Sequence, residues 1–91
     1  MIDASKFRTA SGRPFDPDAY AMLVRPLTDD EGGGWLATVP DLPGCMGDGE
    51  TPAEALADVR DAMLEWADAS HEHHDPIPDP AYAVASAEAA E

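Results

Sequence analysis

The sequence predicts an α+β domain in which a small antiparallel β-sheet packs against one helix, in the order β-β-β-α-β. Two apolar segments, residues 20–27 and 35–39, flank a loop rich in glycine and acidic residues. A turn with two prolines and Gly44 follows, and from Pro52 onward apolar residues recur three and four positions apart. Ninety-one residues make one small domain, and its modest core favours self-association into a homo-oligomer, a dimer or tetramer.

The strands are predicted from alternation and turn residues. Residues 20–27 form an apolar strand, and Pro26 requires an edge or strand-end position. The loop over 28–34 has hairpin composition, so residues 35–39 return as the second strand. Residues 46–50 form a short third strand, which Gly47 and Gly49 weaken.

The helix is predicted to begin at Pro52 and to end near His71. Thr51 and Glu54 have the spacing of a capping box, in which each side chain bonds the other residue's backbone N–H. Pro52 fits the first helical position. The face predicted to pack on the sheet consists of Leu56, Val59, Met63, Trp66 and Ser70.

The proline-rich block of residues 71–80 ends the helix, and Tyr82 and Val84 indicate a final strand over residues 81–86. Turn-rich residues 1–19 form a partly ordered N-terminal leader. The predicted organisation is therefore a leader at 1–19, a domain at 20–86 and a flexible tail at 87–91.

Charge and composition limit the possible partners. Nineteen acidic residues against five basic ones give a net charge of -14, which argues against direct nucleic-acid binding and favours a basic protein partner. A single cysteine excludes an intrachain disulfide. The chain has neither a signal-peptide core nor a long apolar run, so a cytoplasmic protein without a membrane segment is expected.

The candidate partner-binding residues are acidic side chains that recur along the helix, together with one tryptophan. Their spacing of three and four residues predicts a stripe opposite the apolar face. A basic partner would use this stripe, whereas the alternative is a merely solvated helix face. Trp35 is either a core anchor or, if exposed, part of an interface. The proposed set is Glu54, Asp58, Asp61, Glu65, Asp68 and Trp35, and Glu72 continues the stripe.

No combination of residues predicts catalysis or a cofactor. Cys45 has no base placed for it by the sequence, and a small buried cysteine is the commoner state. The three histidines between His71 and His74 lie where the helix ends, without the ligands that would complete a metal site. The glycines at 32–34 lack the lysine and following helix of a phosphate-binding loop. We expect a protein that is not an enzyme and holds no metal or cofactor.

The order of these signals resembles the HicB family. The resemblance lies in three segments: Tyr20-Ala21-Met22-Leu23-Val24, then Trp35-Leu36-Ala37-Thr38-Val39-Pro40-Asp41-Leu42-Pro43-Gly44-Cys45, and Gly47-Asp48-Gly49-Glu50-Thr51-Pro52-Ala53-Glu54-Ala55-Leu56. It extends to the proline segment at residues 76–80. It implies a truncated ribonuclease H-like fold and an antitoxin that masks HicA, a small basic toxin that cleaves mRNA.

Many members of that family continue into a DNA-binding segment, whereas this chain ends in an Ala-Glu tail, so autorepression through this chain is not expected. Two hypotheses follow. The chain is a module that neutralises a toxin, or it is a stand-alone homo-oligomeric scaffold or small-ligand-binding protein.

Overall fold

The computed structural model describes residues 6–81 and has an α+β architecture. Strands β1 (Leu23–Pro26), β2 (Trp35–Thr38) and β3 (Met46–Gly49) form one antiparallel sheet in the order β1-β2-β3. Helix α1 (Pro52–Glu72) follows and packs on one face of this sheet. Within residues 6–81 this is the predicted succession of three strands and a helix.

The hairpin and the third strand are confirmed, but β1 is shorter than the predicted strand over residues 20–27 because it begins at Leu23 and ends at Pro26. In the β1–β2 pair Val24 lies opposite Ala37, and in the β2–β3 pair Ala37 lies opposite Gly47. Pro26 is the last residue of an edge strand, where its missing N–H costs no ladder hydrogen bond. The hairpin loop contains a short 3₁₀ turn, Asp29–Glu31, which is closed by a complete capping box between Thr28 and Glu31.

The two glycines of β3 determine how closely the helix approaches the sheet. A Cβ atom on Gly47 would lie 2.7 Å from the Cα of Val59, and one on Gly49 would lie 2.7 Å from the backbone nitrogen of Ala55. No side chain fits at such distances. The glycines that weaken β3 as an isolated strand therefore allow backbone-to-backbone packing with α1.

This close approach changes the buried face of the helix. Val59, Met63 and Ser70 are buried as predicted, but Leu56 and Trp66 are only partly buried. Ala55 and Ala67 are fully buried instead. Because the first turns of α1 lie directly on the β3 glycines, the contact there requires a small side chain, and the larger ones lie at the flanks.

The start of α1 also differs in one detail from the prediction. The Thr51 hydroxyl accepts a hydrogen bond from the Glu54 N–H at 3.1 Å, as expected of an N-cap. The Glu54 carboxylate, however, accepts from the Glu50 N–H at 2.8 Å and not from that of Thr51. Glu54 thus links the helix start to the residue that follows β3.

The N-terminal segment contributes to the same core as the sheet and the helix. Phe7 is fully buried and Phe15 is 3% exposed, and both belong to the cluster that contains Leu42, Val59 and Met63. The Phe7 ring contacts the His71 ring, with their centroids 5.5 Å apart. Residues 6–19 therefore cover the C-terminal half of α1, a packing role that the sequence did not indicate.

A second group of contacts joins this segment to the proline-rich residues after α1, and we name residues 9–11 together with 77–79 the terminal clasp. The Ala10 N–H donates to the Ile77 carbonyl at 2.8 Å, and the Ser11 hydroxyl donates to Asp79 at 2.8 Å. Hydrogen bonds from Thr9 and Ser11 lower the pKa of Asp79. The buried Tyr20 donates its hydroxyl to the Pro78 carbonyl beside the clasp.

Residues 82–91 lie outside the described part of the chain, so the predicted final strand over 81–86 and the tail at 87–91 stay predictions. The boundary between leader and domain at residue 20 also stays a prediction. Among the helices of residues 6–81, none combines the length and apolarity required to span a bilayer.

Replacing Gly47 with alanine tests the close packing of α1 on β3. The new Cβ would overlap the backbone at Asp58 and Val59, so we expect Gly47→Ala to lower the free energy of unfolding by about 3 kcal/mol. Glu50→Ala, at an exposed position nearby, should change it by less than about 0.5 kcal/mol. Urea denaturation measures both, and equal stabilities would contradict the packing described.

The Tyr20 phenol provides a test of its own environment. Burial, followed by the nearby carboxylates of Asp79 and Asp41, raises the pKa of Tyr20 to about 12. Because this value exceeds the ordinary 10.0, folding favours the protonated phenol. Its contribution to the free energy of unfolding is complete below pH 10 and is lost as the pH rises through 12. Ultraviolet titration should show one phenol ionising near pH 12, which Tyr20→Phe removes. A chain in which all phenols titrate near 10 would contradict this environment.

Candidate partner-binding surface

Two carboxylates of α1 bond to the free edge of β3. The Asp48 N–H donates to Oδ2 of Asp58 at 2.9 Å, and the Glu50 N–H donates to Oε2 of Glu54 at 2.8 Å. Both N–H groups point away from β2, where an exposed edge strand would otherwise offer them to another chain. Asp58 and Glu54 therefore close this edge against strand addition and are themselves held in position.

The other predicted acidic residues continue along the helix. Asp61 and Glu65 are exposed, and Asp68 is partly exposed. With Glu54 and Asp58 they repeat every three or four residues, so their side chains lie in one row. We name these five residues the acidic surface.

The strong base of α1 does not neutralise this row. Arg60 forms its ion pair with Asp18, in the 3₁₀ turn Pro17–Ala19 of the N-terminal segment. Since Arg60 pairs with Asp18 and has only a weaker electrostatic interaction with Asp61, the acidic surface keeps most of its negative charge along about four helical turns. Such a surface attracts cations and basic proteins.

A shallow cleft lies beside the start of the acidic surface. Its volume is about 550 Å³, and it is lined by the glycines at 32–34, by Asp48, Gly49 and Glu50 of the β3 end, and by Glu54. The sequence alone does not indicate that Asp48 and Glu50 lie next to Glu54. The capping signal at Thr51 could have indicated this contact, because it fixes the chain direction between the β3 end and the helix.

The two tryptophans lie on the helix side of the sheet. Trp35 is partly buried against the core, and it lies opposite Gly49 in the β2–β3 pair. Trp66 packs at the flank of α1 and donates its indole N–H to the Pro43 carbonyl at 3.0 Å. Trp35 therefore has a packing role. It lies opposite Gly49, which in turn approaches Glu54, the first residue of the acidic surface.

The cysteine and the three histidines of residues 6–81 lie in different surroundings. Cys45 is buried, and burial raises the pKa of its thiol, which keeps it protonated at neutral pH. His71 contacts Phe7, while His73 and His74 are exposed where the helix ends. Within residues 6–81, no group of three or more His, Cys, Asp or Glu side chains is arranged to hold a metal ion.

Comparison with known proteins gives two matches. The family model described as "HicB_like antitoxin of bacterial toxin-antitoxin system" matches residues 20–91. The chain belongs to this family. A UPF0150 protein of the archaeon Thermoplasma acidophilum is 36% identical over 59 residues, which are 65% of this chain and 81% of that protein. No solved structure matches the chain significantly.

Membership of the HicB-like antitoxin family supports an antitoxin role in general and implies a toxin as the partner. The match begins at residue 20, three residues before β1, and includes the acidic surface and the clasp residues 77–79. Residues 6–19, which supply Phe7 and Phe15 to the core, lie outside the matched region. In this HicB-like chain, a segment outside the matched region thus contributes to the core.

The bond between Asp58 and the β3 edge can be tested separately from any partner. In Asp58→Ala the Asp48 N–H loses its acceptor, so its hydrogen-exchange rate should rise by about five- to tenfold. Asp58→Asn keeps an oxygen acceptor and should leave the rate within about twofold. NMR-detected exchange of the Asp48 amide measures both. An unchanged rate in Asp58→Ala would contradict the hydrogen bond.

Proposed function

We propose that this HicB-like chain neutralises a small basic toxin of the HicA type, an mRNA-cleaving protein, by direct contact through the acidic surface. The observation that carries this proposal is the row of carboxylates on α1, whose base Arg60 is paired elsewhere. The net charge of -14 adds a long-range attraction for a basic protein.

The contact would inhibit by covering the toxin's surface. Glu54 and Asp58 each use one carboxylate oxygen on the β3 backbone, which leaves the second oxygen to accept a hydrogen bond from arginine or lysine. Because the first oxygen is already held, less side-chain freedom is lost on binding. Asp61, Glu65 and Asp68 extend the same row of acceptors.

Binding through the helix face is favoured over strand addition at the sheet edge. On β3, the Asp48 and Glu50 N–H groups are already bonded to carboxylates. On β1, the opposite edge is four residues long and ends at Pro26, which has no N–H. Both edges of the described sheet thus offer a partner strand few donors.

The remaining expectations form part of this proposal. We propose a cytoplasmic, non-enzymatic protein without a metal or cofactor, and a domain that is a truncated ribonuclease H-like fold. The three antiparallel strands followed by a helix fit that fold. The alternative is a stand-alone homo-oligomeric scaffold, for which the relevant observation is the sheet face on which Leu23 and Met46 are exposed.

A matched pair of charge variants tests the acidic surface. Asp61→Asn/Glu65→Gln removes two charges from it, and Asp29→Asn/Asp30→Asn removes two from the exposed hairpin loop. With a purified HicA-type toxin from the same host, we expect the first variant to weaken binding by about tenfold or more. The loop variant should weaken it by about threefold at most, through net charge alone. Calorimetric titration provides the affinities.

The salt dependence and the mRNA-cleavage assay complete this test. Affinity for the toxin should fall as salt is raised, and the intact chain should stop cleavage at equimolar ratio. Equal affinities for the two charge variants would exclude the acidic surface as the contact. Uninhibited cleavage by a cognate toxin would exclude the proposed function.

A further inference from the structure

The face of the sheet that points away from α1 carries three large apolar residues, of which those on the outer strands β1 and β3 are exposed. Strand alternation turns Leu23, Leu36 and Met46 to this side, because Ala37 and Gly47 face the helix. Leu23 is 50% exposed and Met46 is 55% exposed, and they are the exposed large hydrophobic residues of the described chain. We name this side the outer face.

The register of the strands arranges the outer face in two rows across the sheet. One row runs Leu23, Thr38, Met46 from β1 through β2 to β3. The other row runs Arg25, Leu36, Asp48. In the first row the residues on β1 and β3 are both apolar, Leu23 and Met46. In the second row they have opposite charges, Arg25 and Asp48.

We propose that the outer face binds a second copy of this chain, with a two-fold axis that lies between the two sheets and runs close to the direction of β2. Such an axis places β1 of one copy over β3 of the other. Leu23 then meets the partner's Met46, Leu36 meets the partner's Leu36, and Arg25 meets the partner's Asp48. Every residue of both rows finds a complementary partner, as an isologous interface requires. Two sheets that pack in this way cross at about 30°, which keeps these pairs adjacent near the axis.

The charge distribution favours this face over the rest of the surface. Two copies with a net charge of -14 each repel one another. The two rows of the outer face carry one base and one acid, and Glu31, which pairs with Arg25, adds one negative charge beside them. This face therefore carries less charge than the acidic surface and repels a second copy less. Arg25 bonds Glu31 at 3.0 Å, and the guanidinium has five N–H donors, so others remain for the partner's carboxylate.

This proposal goes beyond toxin binding and predicts the opposite response to salt. Salt screens the repulsion between two acidic chains, so dimerisation through the less charged outer face should tighten as salt is raised. Toxin binding through the acidic surface should weaken under the same conditions. The two proposals can therefore fail independently.

Sedimentation equilibrium of the full chain at low and high salt tests the dimer. We expect a monomer–dimer equilibrium that tightens with salt. Leu23→Glu, at an exposed position of the outer face, should weaken it by about tenfold or more. Ala57→Glu adds the same charge on the exposed side of α1 and should change it by about twofold at most. Met46→Glu is a second outer-face variant, and circular dichroism checks that each variant folds.

A charge exchange tests the axis itself. Asp48→Arg places arginine opposite the partner's Arg25 and should weaken the dimer by about tenfold. The double variant Arg25→Asp/Asp48→Arg restores opposite charges across the axis and should recover most of this loss. Within one copy the two residues are separated by β2, at about 10 Å, where solvent screens their interaction.

Three results would overturn the proposal. One is a wild-type chain that stays monomeric at every concentration and salt level. A second is a dimer that Leu23→Glu and Met46→Glu leave unchanged. A third is a double charge variant as weak as Asp48→Arg alone.

Discussion

The contact between β3 and the first half of α1 is the constraint on which the rest of the structure depends. Gly47 and Gly49 bring the helix backbone against the strand, and this distance selects Ala55 as the buried residue of the first turn. It also brings the carboxylates of Glu54 and Asp58 within hydrogen-bond distance of the β3 edge. The packing of the core and the position of the acidic surface thus have the same origin.

The two sides of this thin domain have different chemistry. The helix side presents a row of carboxylates that suits a basic protein, whereas the outer face is less charged and carries exposed apolar residues. If both proposals hold, the two partners bind on opposite sides of one small domain and respond oppositely to salt. Because Asp58 and Glu54 occupy the N–H groups at the β3 edge, a partner would bind to the acidic surface or to the outer face and not to that edge.

Much of the fold could be predicted from local signals. Pro26, the glycine loop and the Thr51-Pro52 start of the helix each act through the backbone of neighbouring residues, and the structure places all three as expected. Contacts between distant segments left no comparable signal. The burial of Phe7 against residues near His71, the exchange of Leu56 for Ala55, and the bond from Glu54 to Glu50 depend on how closely the elements pack. The spacing of the acidic residues predicts the stripe, but not the hydrogen bonds that Asp58 and Glu54 accept at the β3 edge.

The terminal clasp has a consequence for the order in which the chain folds. Its bonds between Ser11 and Asp79 join residues 68 positions apart, so closing them costs more loop entropy than forming the hairpin or the helix. The exposed clasp bonds should therefore form last and open first, in a local transition that leaves the sheet and α1 intact. Phe7 and Tyr20 are buried beside the clasp, so their packing should favour its closed state.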